Sequence, residues 1–255
     1  MSAQATRINT KLYNRKVRRP NSYLLPSNIT PSVTTAFCVI CVVIYIADII
    51  TGYSLTTLGM KDNSMVIDNG DIYRLFTCTL LHGGLFHLLS NIFFIRLYGS
   101  YAEFYYGHKK MAMIIAASGL TGSIFSLAFT EARSVGASGI AFGLVGAVLA
   151  ARYAMTPEER KTMTKNCVYL IVVNLLLGLI SGSIDNAAHI GGFLGGLAIG
   201  YGLSVYKETE RTAIKKAAVV AYFIMNIVVA LYACTDIFPR IDINIWKILR
   251  TLIGF

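Results

Sequence analysis

Long apolar runs separated by short polar ones set the plan of this chain. A membrane-crossing helix needs roughly 20 mostly apolar residues. Seven stretches meet that description: 34–52, 80–98, 110–129, 137–155, 167–184, 187–206 and 215–235. The 137–155 and 167–184 stretches are short, so their ends are expected below the membrane surface. The remainder divides into a polar, basic tail at 1–33, a long loop at 53–79 that mixes apolar residues with Lys61, Asp62, Asp68 and Asp71, a basic linker before the last apolar stretch, and a C-terminal stretch at 239–252 with interspersed Trp246, Arg240, Lys247 and Arg250. A loop as long as 53–79 is usually functional or partly structured, and this one is expected to lie in the membrane interface. The 239–252 stretch is expected to lie on the membrane as an amphipathic segment.

Composition agrees with this pattern. Of 255 residues, 55% are hydrophobic and 14% charged, where a soluble domain carries about 25% charged residues. The chain is thus expected to be an all-α, multi-pass membrane protein. Its net charge of +10 would suggest nucleic acid in a soluble protein, but the basic residues stand in short runs between apolar segments. With the N-terminus inside, 17 of the 23 Lys and Arg fall in inside segments, which predicts an N-in, C-out topology and no nucleic-acid partner. The tail carries no apolar core of a leader peptide before the first span and is expected to be cytoplasmic.

The five cysteines, Cys38, Cys41, Cys78, Cys167 and Cys234, are odd in number, which argues against a closed disulfide framework. Cys38 and Cys41 are spaced as CxxC but lie inside the first apolar run and read as buried thiols on a helix. No second cysteine pair accompanies them, as a structural zinc site would require.

The chemically capable residues sit in three of the apolar stretches. Ser138 lies in Gly136-Ala137-Ser138-Gly139, where a small, flexible run enters an apolar helix. At a helix start the free N–H groups and the dipole favour a developing anion. The competing interpretation is a plain helix cap in a glycine-rich packing helix. His189 follows Asp185 by four residues and precedes Gly192 and Gly196, whose spacing lets two membrane helices approach closely. Gly139 and Gly143 form a matching face. If the faces meet, Ser138 and His189 come within reach of each other as nucleophile and base. Asp185 is better placed to cap the following helix than to serve as a third catalytic member. His87 and Asn91 stand i, i+4 on one helix face and could both donate to an oxyanion or simply join helices by hydrogen bonds. His82 is five residues before His87, on another face or in the loop. His108 reads as solvated. A metal cluster of His82, His87 and His189 lacks the carboxylate pattern of an HExxH site, and no cofactor or metal is implied.

In order, these motifs resemble those of the rhomboid intramembrane serine proteases. His87 to Asn91 is similar to the HxxxN of the second span, Gly136 to Gly139 to the GxSG of the fourth, and Ala188 to Gly196 to the AHxxGxxxG of the sixth. Tyr73-Arg74 resembles the Trp-Arg pair of the first loop, and Glu103 a structural glutamate beyond the second span. The resemblance covers roughly residues 35 to 206. It implies a rhomboid-like bundle of six core transmembrane helices over 34–206, after the 1–33 tail, with a linker and seventh helix at 207–236 and an amphipathic end at 237–255. It further implies that Ser138 is the nucleophile and His189 the base, that His87, Asn91, the Ser138 N–H and Gly136 form the oxyanion site, and that Arg74 and Glu103 are structural. Span five and the loop at 181–186 would gate entry of substrates, which would be single-span membrane proteins met within the lipid bilayer. The six-plus-one form suggests a bacterial cell membrane or the secretory pathway, with the site near the outer face. Phe142 stands where many members have a tyrosine stacked on the histidine. A rhomboid-like protein that binds membrane helices without cleaving them is one alternative. A transporter with a polar pathway through His87, Asn91 and His189 is another.

Overall fold

The computed structural model describes residues 32–181, 184–204 and 212–235. Within them every regular element is helical. The first apolar stretch is α1 (Ser32–Ile50). The loop after it winds into α2 (Ser54–Gly59), α3 (Asn63–Ile67) and α4 (Arg74–Thr77), the last running on into a 3-10 turn at Cys78–Leu80. Then come α5 (Leu85–Tyr106), α6 (His108–Phe129), α7 (Ser138–Ala150) with a 3-10 extension over Ala151–Ala154, α8 (Pro157–Ser181), α9 (Asn186–Leu203) and α10 (Thr212–Cys234).

Among the described residues, α1, α6, α8 and α10 are each long and apolar enough to cross a membrane, and α4 with its 3-10 turn and α5 make a fifth span bent by 93°. Helices α7 and α9 are shorter or rich in glycine, and they form the centre. Helix α9 packs mainly on α7 and α6, α10 against α9 and α6, and α1 against α5. Large apolar side chains face outward on the peripheral helices, among them Val43 and Ile46 on α1, Tyr169 and Leu176 on α8, and Ile227 and Leu231 on α10. Such a surface suits lipid rather than water.

Two boundaries differ from the pattern-based expectation. The second span does not begin at 80. Gly83 and Gly84 interrupt it, and the helix proper runs from Leu85 to Tyr106. Its polar end is helical because Glu103 has buried work to do: its carboxylate accepts from the Val33 and Thr34 backbone N–H groups, both at 2.9 Å, and from the Thr34 hydroxyl at 2.6 Å. Those are orphan donors at the start of α1, and a carboxylate there also meets the positive end of the helix dipole. His108 contacts the same carboxylate.

The apolar stretch expected at 167–184 is not short. It starts ten residues earlier, at Pro157, because the polar stretch before 167 carries a strong helix start. Thr156 and Glu159 form a reciprocal capping box, with Thr156 N–H to Glu159 Oε2 at 2.8 Å and Glu159 N–H to Thr156 Oγ1 at 3.3 Å. Pro157 occupies the first helical position, where its missing N–H costs nothing.

The long loop is held by three buried polar centres. Asp48, at the end of α1, accepts from the Thr56 N–H at 2.9 Å and from its hydroxyl at 2.5 Å. Lys61 is fully buried, and its ammonium donates to Asn63 Oδ1 and to the carbonyls of Ser126, Thr130 and Ala132. Arg74 donates to the Thr57 and Met60 carbonyls at 3.2 and 3.1 Å and pairs with Asp71 at 3.0 Å. The 1–31 tail, residues 182 and 183 of the proposed gating loop, the linker at 205–211 and the 239–252 stretch lie outside the described residues. Cys38 and Cys41 are buried free thiols on α1.

Candidate active site

The site begins at the junction between the loop after α6 and the start of α7. The backbones of Lys61 and Ser134 exchange two hydrogen bonds, at 3.0 and 3.1 Å, and the Gly136 N–H donates to the Cys78 carbonyl at 2.9 Å. These pin the approach to Ser138. Gly136 has φ +131°, a conformation that L side chains rarely adopt. A Cβ there would also stand 2.7 Å from His87 Cε1 and Nε2 and 3.5 Å from Asn91 Nδ2. His87 and Asn91 therefore both aim at the backbone two residues before Ser138. Asn91 is buried, and among the described residues its Nδ2 has no partner. The position before the helix is held by Ala137, not Ser138, so Ser138 is the first helical residue and its side chain is not the cap.

His189 arrives from α9. The Asp185 carboxylate caps that helix, accepting from the Ala188 N–H at 2.9 Å, and also accepts from the Ser126 hydroxyl at 2.5 Å. It is occupied as a cap, as its position before α9 suggests. His189 sits one turn into α9, buried, with no hydrogen-bond partner at Nδ1 among the described residues. Its ring is held by stacking. The Phe142 ring lies parallel to it within 12°, centroids 4.2 Å apart.

Two glycine faces bring α7 and α9, which carry Ser138 and His189, together. A Cβ on Gly192 would fall 2.0 Å from the Gly139 carbonyl oxygen, and one on Gly196 would fall 1.9 Å from that of Gly143. The backbones of α7 and α9 thus touch over more than one turn, along the matching small-residue faces seen in the sequence. A second face of α9, Gly191 and Gly195, meets Phe125 and Thr121 of α6. Against Ser138 lies a cavity of about 20 Å³, lined in part by Lys61, Cys78, Ser123, Ser126, Gly136 and Ala188. That volume and polarity suit a single water.

His87 and Asn91 meet at Gly136, and a Cβ on Gly139 would stand 3.3 Å from the Ala188 carbonyl oxygen, so Ser138 and His189 are each the chain neighbour of a residue in a direct contact between α7 and α9. Arg74 and Glu103 do not join them. Arg74 ties the long loop together, and Glu103 stands twelve residues beyond Asn91, about 18 Å further along α5 at the usual helical rise. Two further residues stand at the site: His82, which the pattern left on another face or in the loop, and Lys61, which it left in the long loop. His82 is folded back by the bend before α5 so that its ring meets His87 edge-on at 5.3 Å. It is buried, and both ring nitrogens lack a partner among the described residues. The Gly83-Gly84 pair after it was the available signal. Lys61 looked like one more loop lysine. Burial pulls its ammonium below the ordinary lysine range, while Asp185, Glu131 and Asp62 oppose that shift. Among the described residues no group of three His, Cys, Asp or Glu side chains is arranged to hold a metal.

The Rhomboid domain model matches residues 69–206, more than half of the chain, including Ser138, His189, His87, Asn91 and Gly136. The chain belongs to the rhomboid family. It is similar to Rhomboid protease GluP of Bacillus subtilis (strain 168), at 37% identity over 143 residues, which is 56% of this chain and 28% of that protein. RHOMBOID-like protein 1 of Arabidopsis thaliana is 35% identical over 152 residues, covering 58% of this chain and 39% of that protein. Inactive RHOMBOID-like protein 8 of the same plant is 35% identical over 144 residues, covering 55% and 41%. The chain thus spans less than half the length of each of these relatives. Family and apolar helices together make this rhomboid-family chain an integral, multi-pass membrane protein with an all-helical bundle.

Proposed function

We propose that this chain is an intramembrane serine endopeptidase that cleaves single-span membrane proteins through a Ser138–His189 dyad. What supports the proposal is the close contact of α7 and α9, which carry a part-buried serine at a helix start and a ring-stacked buried histidine, with two side-chain donors at Gly136 and a water-sized cavity beside the serine.

The Ser138 hydroxyl attacks the scissile carbonyl and passes its proton to the His189 imidazole. The oxyanion that forms is met by His87, by the Asn91 amide and by the backbone N–H of Ser138. Such donors matter because they act in a dry, low-dielectric site and need no reorganisation; loss of one in a comparable site costs about 2.7–4 kcal/mol. His189 then returns its proton to the leaving amine, and water cleaves the acyl-enzyme by the same steps in reverse. Asp185 is taken up as a helix cap, which favours a dyad over a triad. Phe142 replaces the missing hydrogen bond as the ring's positioning contact. Positive-inside counting favours a cytoplasmic N-terminus with Ser138 near the outer face, and the resemblance to the six-plus-one form favours a bacterial cell membrane. The exposed apolar residues of the long loop, such as Leu58, Ile72 and Phe76, suit a seat in the interface.

One relative is described as inactive, so the second candidate is a helix-binding protein without catalysis. The serine and histidine present here favour the enzyme. The deciding experiment uses purified protein in liposomes with a generic single-span substrate, wild type beside Ser138→Ala and His189→Ala, and fluorophosphonate labelling in parallel. Cleavage and labelling by wild type alone are expected. Cleavage that persists in Ser138→Ala would place the chemistry elsewhere. Absence of both cleavage and labelling in wild type would favour the binding protein.

A further inference from the structure

At the end of α7 away from Ser138, a cleft of about 380 Å³ opens between the 3-10 extension of α7, α9 and α10. Its walls are aliphatic, from Leu149, Leu194, Leu197, Ala218, Ala221 and Met225, and its polar lining includes Arg152 and Tyr201. Arg152 lies in that lining, and Arg160 stands on the aromatic ring that Arg152 also covers. Arg152 and Arg160 both lie over the Tyr153 ring, at 4.9 and 5.6 Å from its centroid, and the Tyr153 edge meets Tyr201 at 6.3 Å. Their hydrogen bonds within the protein are few: Arg152 Nη2 to the Tyr153 hydroxyl at 3.0 Å and Arg160 Nε to the Arg152 carbonyl at 3.2 Å. Among the described residues neither arginine has a carboxylate partner. Each guanidinium carries five donors in a fixed fork that fits phosphate, so most of this donor capacity is unspent.

An apolar cleft between membrane helices with fixed, unpaired cations at one end matches one class of ligand. We propose that the cleft holds an acyl chain of an anionic glycerophospholipid, with its phosphate on Arg152 and Arg160. Basic pockets between membrane helices select anionic headgroups on this principle. The lipid chain would complete the contact of α10 with α9, where the three elements leave a gap. This site is separate from Ser138 and does not depend on the protease proposal.

Native mass spectrometry of the full chain, released from nanodiscs of mixed phosphatidylglycerol and phosphatidylcholine, tests it. Wild type should retain phosphatidylglycerol over phosphatidylcholine by about tenfold or more, as expected for a charge-assisted pair. Arg152→Gln should bring the two lipids towards parity while keeping a bound lipid. Ala221→Phe, which fills the cleft, should lose bound lipid of both kinds. Circular dichroism confirms folding of each variant. Equal retention of both lipids by wild type would overturn the proposal. So would a selectivity that neither substitution changes, or a selectivity abolished by inorganic phosphate with no change in Ala221→Phe, which would mark an anion site without a lipid tail.

Discussion

His189 is positioned by what surrounds its ring rather than by a carboxylate. Its Nδ1 has no partner among the described residues, while Phe142 stacks on it at 4.2 Å. Aromatic pairs of this kind contribute about 0.5–1.5 kcal/mol beyond burial. Phe142→Ala should therefore lower kcat roughly two- to tenfold with little change in KM, and Phe142→Tyr should keep near wild-type turnover. Steady-state cleavage in liposomes separates the two parameters. An unchanged kcat in Phe142→Ala would show that the stack does not hold the base. Asp62 carries a pH effect of its own. The Ser64 hydroxyl, and after it Arg133, hold its carboxyl below the usual carboxylate range. A lowered folded value means the stabilisation is present above the ordinary carboxylate pKa and lost as pH falls through the folded one. Thermal unfolding followed from about pH 5 down to pH 2 should show a steeper decline in wild type than in Asp62→Asn. Parallel curves would assign the loop's acid sensitivity to another group.

At the scale of elements, the contact between α7 and α9 decides whether there is a site at all. Gly143 and Gly196 meet with no room for a single added carbon. Gly196→Val should cost about 1–3 kcal/mol or more by overpacking, lowering the unfolding temperature in detergent and abolishing fluorophosphonate labelling of Ser138. Normal labelling in a destabilised Gly196→Val protein would separate packing from site assembly. These faces were legible in the sequence because small residues four apart form a local, periodic signal. The start of α8 was not, because the apolar run begins only at 167, and a capping box announces a helix with polar residues. The bend before α5 was equally hidden. A glycine pair permits a turn of 93° but does not dictate its direction, and the direction is what sets His82 on His87.

At the scale of the whole molecule, α8 is loosely held, with only Cys167 and Gly178 buried along its length. Near its end Asn186 rests on Gly178, where an added Cβ would fall 2.2 Å from Asn186 Oδ1, and donates to the Leu175 carbonyl at 3.2 Å. If substrates enter beside α8, Asn186→Ala should raise kcat/KM for a membrane-embedded substrate about two- to tenfold, the worth of one hydrogen bond. Labelling by a small fluorophosphonate should not change. A fall in kcat/KM would instead make the contact part of substrate binding. The sequence by itself determined the helical, membrane-embedded class, the order of the spans that carry Ser138, His87 and His189, and the small faces able to bring them together, since composition and local spacing encode all three. Only the tertiary structure decided which apolar faces are core and which are lipid-facing, that Glu103 caps a helix some 70 residues earlier in the chain, and that Lys61 is buried under four acceptors. The reason is physical. Lipid tails are as apolar as leucine, so hydrophobic periodicity loses its meaning inside a bilayer, and contacts between distant polar residues leave no local trace.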